Sequence, residues 1–306
     1  MKRIIEYFYN IKISEIYHDN NIYYFFLGIT KYYLCPLNRP IEDLEPLKQL
    51  CLELKTKNIL TYDLVLNIEG KLYTVYNNVN YVLLKSPKYE NQKITYNDIN
   101  YIMLNTYDIK IDKKLLRNNW VNLWSEKIDY YEYQISELSR KYKILHNTID
   151  YYIGLGENAI SYLVNNQEKN NQERFILSHK RIKTNYNSFE FYNPLSYIID
   201  SRVRDTTEYI KDAFFNDMIG INEVKNIIIY NNYNYDEYVL FIARLLFPSY
   251  YFDIYDEIIN NDLDENNIIK IVNKTKDYEI FLSQIISYII SNNIMIEQID
   301  WLKKDA

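Results

Sequence analysis

One part of the chain carries residue types that could do chemistry. Phe175-Ile176-Leu177-Ser178 is a mainly apolar run that ends on His179, and Lys180-Arg181-Ile182 follow it. Farther on, Tyr197-Ile198-Ile199 is a second apolar run that leads into Asp200-Ser201-Arg202. A strand, a histidine, a short loop, a second strand and then an aspartate is the layout of a phosphate-transfer site. Taken singly these residues say less. An aspartate at a strand end is commonly a turn residue, and a histidine beside apolar neighbours commonly supports structure.

Such a site needs elements to hold it. The first ninety or so residues read as strands with one helix. Ile11 to Tyr17 alternates in part, His18-Asp19-Asn20-Asn21 is a turn, and Ile22 to Leu27 and Lys31 to Leu37 are strands. Pro36 and Pro40 close the latter. A helix is expected over Ile41 to Lys57, with Leu44, Leu47, Leu50, Cys51 and Leu54 as its apolar stripe. Pro46 fits only if that helix begins close to it. Asp63 to Ile68 and Lys71 to Tyr76, joined by Glu69-Gly70, read as a hairpin, and Asn77-Asn78 turns the chain into Asn80 to Leu84. Lys85-Ser86-Pro87 reads as a linker, so residues 1–86 form one lobe and 87–306 another.

The second part is mainly helical. Helices are expected over Thr95 to Tyr107, with Thr95 and Asp98 as a capping box, over Asn119 to Leu145, and from Asn147 to Val164. Asn165 to Glu173 is a polar loop. Further helices start at Asp205, capped through Glu208, and run near Tyr235–Ile259, Asp264–Val272 and Asp277–Ser291. Trp120 and Trp124, four apart, read as packing residues, and Arg244, in an apolar helix, needs a buried acid or carbonyl. The sum is an α+β chain: a small antiparallel-sheet lobe, then a larger helical one.

Composition narrows the function classes. The net charge is −6, which argues against nucleic acid or anionic lipid as a general partner. No apolar run is long enough to span a membrane, and the N-terminus lacks a signal-peptide pattern, so a cytoplasmic protein is expected. Cys35, Cys51, His18, His146 and His179 are not spaced as a metal site. Tyrosine is abundant at 35 residues. AT-rich coding explains that together with the high Asn, Ile and Lys; a crosslinkable surface is the competing explanation, which predicts many exposed tyrosines and fails if most are buried.

Three further stretches sharpen the reading: Tyr151-Tyr152-Ile153-Gly154-Leu155-Gly156-Glu157-Asn158-Ala159-Ile160-Ser161-Tyr162-Leu163, then Ser201-Arg202-Val203-Arg204-Asp205-Thr206-Thr207-Glu208-Tyr209-Ile210, then Ala243-Arg244-Leu245-Leu246-Phe247-Pro248-Ser249-Tyr250-Tyr251-Phe252. In this order, they resemble the spore-coat-associated kinase-like proteins of the YutH type, relatives of the CotS spore coat kinases within the aminoglycoside phosphotransferase and choline kinase-like superfamily. The close matches run from Trp120 to Tyr255, and the first lobe agrees in layout. The resemblance implies a protein-kinase-like two-lobed fold, ATP and Mg2+ as cofactors, and a setting in sporulation or coat assembly.

It also implies roles, and several are unfilled. His179 matches a loop histidine that supports the loop. The loop glycine is Lys180, and the catalytic aspartate is Arg181, whose guanidinium stays protonated and accepts no hydrogen bond. The metal-binding asparagine falls on Tyr186, with Asn185 and Asn187 beside it. Asp200 matches the magnesium aspartate. The phosphate-binding lysine is expected near Cys35, and Lys31 is the lysine of that strand. No glycine-rich phosphate loop is present, since His18 to Asn21 contains an acid and no glycine. Removing one acid or base typically costs ~10²–10⁴ in rate, and here several groups are missing together. The implied protein is a pseudokinase that binds or scaffolds protein partners such as coat proteins. The competing reading is an active phosphotransferase in which Lys31 serves phosphate while Asp200 and Asn185 or Asn187 serve metal.

Overall fold

The computed structural model describes residues 1–19, 21–87, 93–138, 141–166, 174–261 and 263–305. It divides into two compact units: residues 1–117 with 175–200, and residues 118–174 with 201–306.

The first unit is built on an antiparallel sheet. Its strands are β1 (Tyr17–Asp19), β2 (Ile22–Leu27), β3 (Thr30–Pro36), β4 (Asp63–Val65), β5 (Thr74–Tyr76) and β6 (Val79–Lys85). They lie in the order β1-β2-β3-β6-β4, with β5 also on β6. Alternation sends Phe25, Leu34 and Leu83 to one face, where they meet Ile5, Tyr9 and Ile13. Ile5 and Tyr9 belong to α1 (Lys2–Tyr9), a helix that ends on left-handed Asn10 and that sequence reasoning missed. It is short, has no side-chain N-cap, and draws its stability from burial on the sheet. The lobe therefore has more than the single helix expected.

The expected hairpin between Asp63 and Tyr76 is absent, because β4 and β5 pair with β6 rather than with each other. The reason is local. The Asn67 side chain accepts from the N–H groups of Glu69 and Lys71 and donates to the Tyr73 carbonyl, closing a loop of its own. The tight turn is at Asn77-Asn78, both at positive φ, which is the geometry of a two-residue hairpin. Helix α2 (Leu44–Thr56) follows a short 3-10 turn and buries the expected stripe. Pro46 falls in its first turn, where no intrahelical donor is lost. Helix α3 (Tyr96–Asn105) begins on the expected capping box, with the Thr95 N–H donating to Asp98 at 2.8 Å. Strands β7 (Phe175–His179) and β8 (Tyr197–Ser201) pair with each other, and α6 (Ser188–Tyr192) lies between them in sequence; α4 and α5 belong to the other unit.

The second unit is helical: α4 (Trp120–Leu138), α5 (Lys143–Asn166), α7 (Val203–Phe215), α8 (Ile221–Asn231), α9 (Tyr235–Leu246), α10 (Ser249–Asn260) and α11 (Ile269–Ser291). Here the expected boundaries move. The long helix from Asn119 divides, with α5 already under way at Lys143. Tyr235–Ile259 is two helices broken at Phe247-Pro248, as a proline demands. Asp264–Val272 and Asp277–Ser291 merge into α11 behind a 3-10 turn. Helix α8 was unexpected, because its run Ile227-Ile228-Ile229 has strand-like composition. The polar segment after Asn166, up to Glu173, lies outside the described residues, as does Asn20 of the first turn.

Aromatic rings carry much of this core. Tyr152 stacks on Tyr251 at 3.7 Å, Tyr131 on Phe252 at 4.2 Å and Trp124 on Phe247 at 4.6 Å. Among the described residues nine tyrosines are exposed, eleven are buried and the others are half-buried.

Candidate functional site

The residues singled out in the sequence come together around β7, β8 and the loop between them. His179 ends β7, fully buried. Its Nε2 is 2.9 Å from the Phe191 carbonyl, and its ring stacks on Phe191 at 4.5 Å. Both are framework contacts: the histidine ties the loop to α6. The Lys180 N–H donates to Ser196 at 2.8 Å, fastening the loop to the start of β8. The far side of β8 is held by the segment after α3, where Ile199 exchanges backbone hydrogen bonds with Leu115 and Arg117, each 2.8 Å. Asp200 is wholly buried on this strand.

The asparagines are placed differently. Asn187 is the N-cap of α6; its side chain accepts from the Phe189 N–H at 2.8 Å while Glu190 answers the Asn187 N–H at 2.9 Å. Asn185 is exposed on a turn. Tyr186 is half-buried and its carbonyl accepts from Ile94. Asn187 has spent its oxygen on a cap, and no three His, Cys, Asp or Glu side chains converge among the described residues.

The sheet face that carries Lys31, Tyr33 and Cys35 is aromatic. Lys31 Nζ lies 4.0 Å from the Tyr24 ring centre and 4.6 Å from that of Tyr33. Burial lowers its pKa, opposed by Asp19. Tyr33 stacks on Phe189 of α6 at 4.1 Å, and Tyr62 meets both rings edge-on. Cys35, at the place expected of a phosphate lysine, is buried, and burial pushes its thiol up to about 12. That thiol stays protonated and unreactive at neutral pH.

A group that sequence reasoning missed lies beside the loop. Arg39 donates from Nε to Asp43 at 3.0 Å and from Nη1 to the carbonyls of Leu195 and Tyr197 at 3.2 and 3.1 Å. Its side chain is 2 % exposed and that of Asp43 7 %. Lys180, next to this pair, has its pKa pushed down to about 8, first by burial and then by Arg39 and Arg117, with Asp43 pulling the other way. The available signal was the opposite-charge pair at i and i+4 leading into α2.

In the helical unit the residue after Ser201 is clamped. Arg202 donates from Nε and Nη2 to the two carboxylate oxygens of Glu237, both at 2.7 Å, and Arg174 donates from Nε at 2.9 Å. Burial raises the Glu237 pKa, but these hydrogen bonds outweigh it and hold the carboxyl below its ordinary range. Asp205, expected as a helix cap, instead lies inside α7 and is buried, while Glu208 pairs with Lys211. The guanidinium groups of Arg204 and Arg244 both lie over Trp120, at 4.6 and 4.1 Å.

Comparison with known proteins places this geometry. Residues 2–285 match the family described as "Spore coat putative kinase YutH". The endospore coat-associated protein YutH of Bacillus subtilis is 24% identical over 269 residues, which is 78% of each chain. Among solved structures, an aminoglycoside phosphotransferase from Alicyclobacillus acidocaldarius superposes with a TM-score of 0.60 at 11% identity, covering 92% of this chain and 94% of that one. A spectinomycin phosphotransferase in complex with ADP and spectinomycin gives 0.55 at 12% identity, covering 94% and 97%. The fold is that of the kinase-like phosphotransferases, with a small antiparallel-sheet lobe and a mostly helical one.

Proposed function

We propose, starting from a chain that belongs to the YutH spore coat kinase-like family, that this protein is a pseudokinase: a phosphotransferase-like fold kept for binding protein partners in sporulation or coat assembly. One observation carries the reading. The loop behind His179 offers Lys180 and Arg181 where a kinase needs a carboxylate, and no hydroxyl can be deprotonated by a guanidinium. Three features support it. Asn187 is committed to a helix cap, Cys35 stands in the strand, and Lys31 is held over aromatic rings. The relative from Bacillus subtilis is described as endospore coat-associated, which supports the setting. No helix of the described residues is long and apolar enough to cross a membrane, consistent with a role at a coat surface or in the cytoplasm.

The test is nucleotide binding and turnover. Thermal unfolding of the full chain is followed with ATP, with and without magnesium, for wild type, Asp200→Ala and the milder Asp200→Asn. A ligand that binds the folded state raises its stability by ~2.7 kcal/mol at a hundredfold excess over its dissociation constant. The expected outcome is no magnesium-dependent shift and no ATP turnover. Turnover that both Asp200 variants abolish would overturn the reading and establish an active phosphotransferase.

A further inference from the structure

An open groove of about 490 Å³ lies between α8 and α11 of the helical unit, a volume within the range of ligand clefts. Lys225 of α8 lines one side; Ser283, Gln284, Ser287, Tyr288 and Ser291 of α11 line the other. Among these described residues Lys225 alone is charged. Its Nζ lies 5.3 Å from the centre of the Tyr288 ring, and it pairs with no carboxylate among the described residues. Glu223, two residues before it, turns its carboxylate to the Gly220 N–H at 3.1 Å. The three serines recur every four residues, so they share one face of α11. Ser283 sets this stripe apart from an ordinary helix face. It is 6 % exposed, yet its hydroxyl has no hydrogen-bond partner among the described residues and borders the groove. Helical serines commonly bond a preceding carbonyl, as Ser291 does with Tyr288 at 2.7 Å. Ser283 keeps its hydroxyl for what enters the groove.

We propose that this groove binds an extended segment of a partner protein, with one acidic side chain of the segment on Lys225 and its backbone along the serines. This deepens the reading of the chain as a binder of protein partners and rests on it. Charge supplies the first argument: the lining holds one cation and no acid, so its complement is a carboxylate, and an ion-assisted hydrogen bond is the strong kind. The net charge of −6 opposes a long acidic run, so the segment carries a single acid. Hydrogen bonding supplies the second. Serine hydroxyls and the Gln284 amide both donate and accept, as do the alternating N–H and C=O groups of an extended backbone. Length supplies the third: Ser283 to Ser291 covers ~12 Å of helix, the reach of about four extended residues. A sugar is the poorer match, because Lys225 occupies the ring of Tyr288 on which it would stack.

The experiment selects binders from a random octapeptide display library on the immobilised full chain. Fluorescence anisotropy then follows the best binder, made with a fluorescein label, and its twin in which the acid is replaced by the matching amide. The selected peptides are expected to share one Asp or Glu among uncharged neighbours. Lys225→Gln and the amide twin should each weaken binding ~10-fold, and together no more than either alone, because they remove the same contact. Ser287→Trp blocks the groove from an exposed position and should abolish binding; Ser283→Ala should weaken it by a few fold. Thermal unfolding of each variant checks that the fold is kept. Three results overturn the proposal: no binder, binders without a shared acid, or binding that Lys225→Gln and Ser287→Trp leave unchanged. Free glutarate that competes at the concentration of the peptide would make a small anion the occupant and overturn the peptide assignment. No nucleotide is present, so any of these failures leaves the absence of phosphotransfer standing, and ATP turnover would sink the pseudokinase reading without bearing on the groove.

Discussion

One charged place in each compact unit makes a contrast: the Glu237 clamp of the helical unit and Lys180 of the sheet-bearing one. In the helical unit Glu237 and Lys211 each meet a complement. Glu237 takes donors from Arg202 and Arg174 on both carboxylate oxygens. Lys211, 2 % exposed, bonds Glu208, the Ser249 hydroxyl at 2.6 Å and the Arg244 carbonyl at 3.0 Å. In the sheet-bearing unit, the half-buried Lys180 has its pKa pushed down to about 8, first by burial and then by Arg39 and Arg117 against Asp43. The first arrangement serves the fold. The second costs the fold something wherever the amine is charged.

The comparison is most severely tested at Glu237. Replacing it by alanine takes the two-pronged carboxylate from Arg202, whose side chain is 4 % exposed. Breaking a buried pair from one side costs ~3–5 kcal/mol, so urea unfolding of Glu237→Ala is expected to show a loss of that size. The pH dependence has a definite sign. The folded carboxyl titrates below its ordinary 4.5, so its contribution is complete above that value and disappears as the pH falls through the folded pKa. A loss below ~1 kcal/mol, typical of an exposed pair, would erase the contrast between the units.

Packing sets a second, smaller limit in the helical unit. A Cβ on Gly156 of α5 would come within 2.5 Å of Ile128 Cδ1 on α4, whereas Gly154 has open space. Gly156→Ala is expected to lose ~1–3 kcal/mol by overpacking, and Gly154→Ala to gain ~0.5–1 kcal/mol from helix propensity. Thermal unfolding of the pair separates them; equal effects would mean the helices do not approach as closely as Ile128 and Gly156 indicate.

Those glycines show what was legible in the sequence. They sit in the motif Tyr151 to Leu163, whose spacing reflects a buried helix face, and local patterns of that kind were readable: the α2 stripe, the Thr95–Asp98 box, the strands flanking His179. What escaped depended on tertiary partners. Helix α1 exists because Ile5 and Tyr9 are buried on the sheet. Strand β4 chose β6 over the expected hairpin because Asn67 closes its own loop. The loop chemistry around Arg181 was visible as a substitution, but Arg39 and Arg117 are distant in sequence, and only folding brings them to the segment that anchors Lys180.

The smallest effect tests the other side of the comparison, and its sign is the informative part. Lys180 titrates at about 8 in the fold against an ordinary 10.5. Between those values the unfolded chain binds more protons, so stability rises with pH across that window; below it the charged amine is a standing cost. Lys180→Gln removes the cost. The variant is expected to be more stable than wild type at pH 7, by no more than ~1 kcal/mol since the side chain is partly solvated, with the gap closing towards pH 10. Denaturant midpoints at the two pH values measure it. A Lys180→Gln variant less stable than wild type at pH 7 would instead make Lys180 part of the framework, like Arg202.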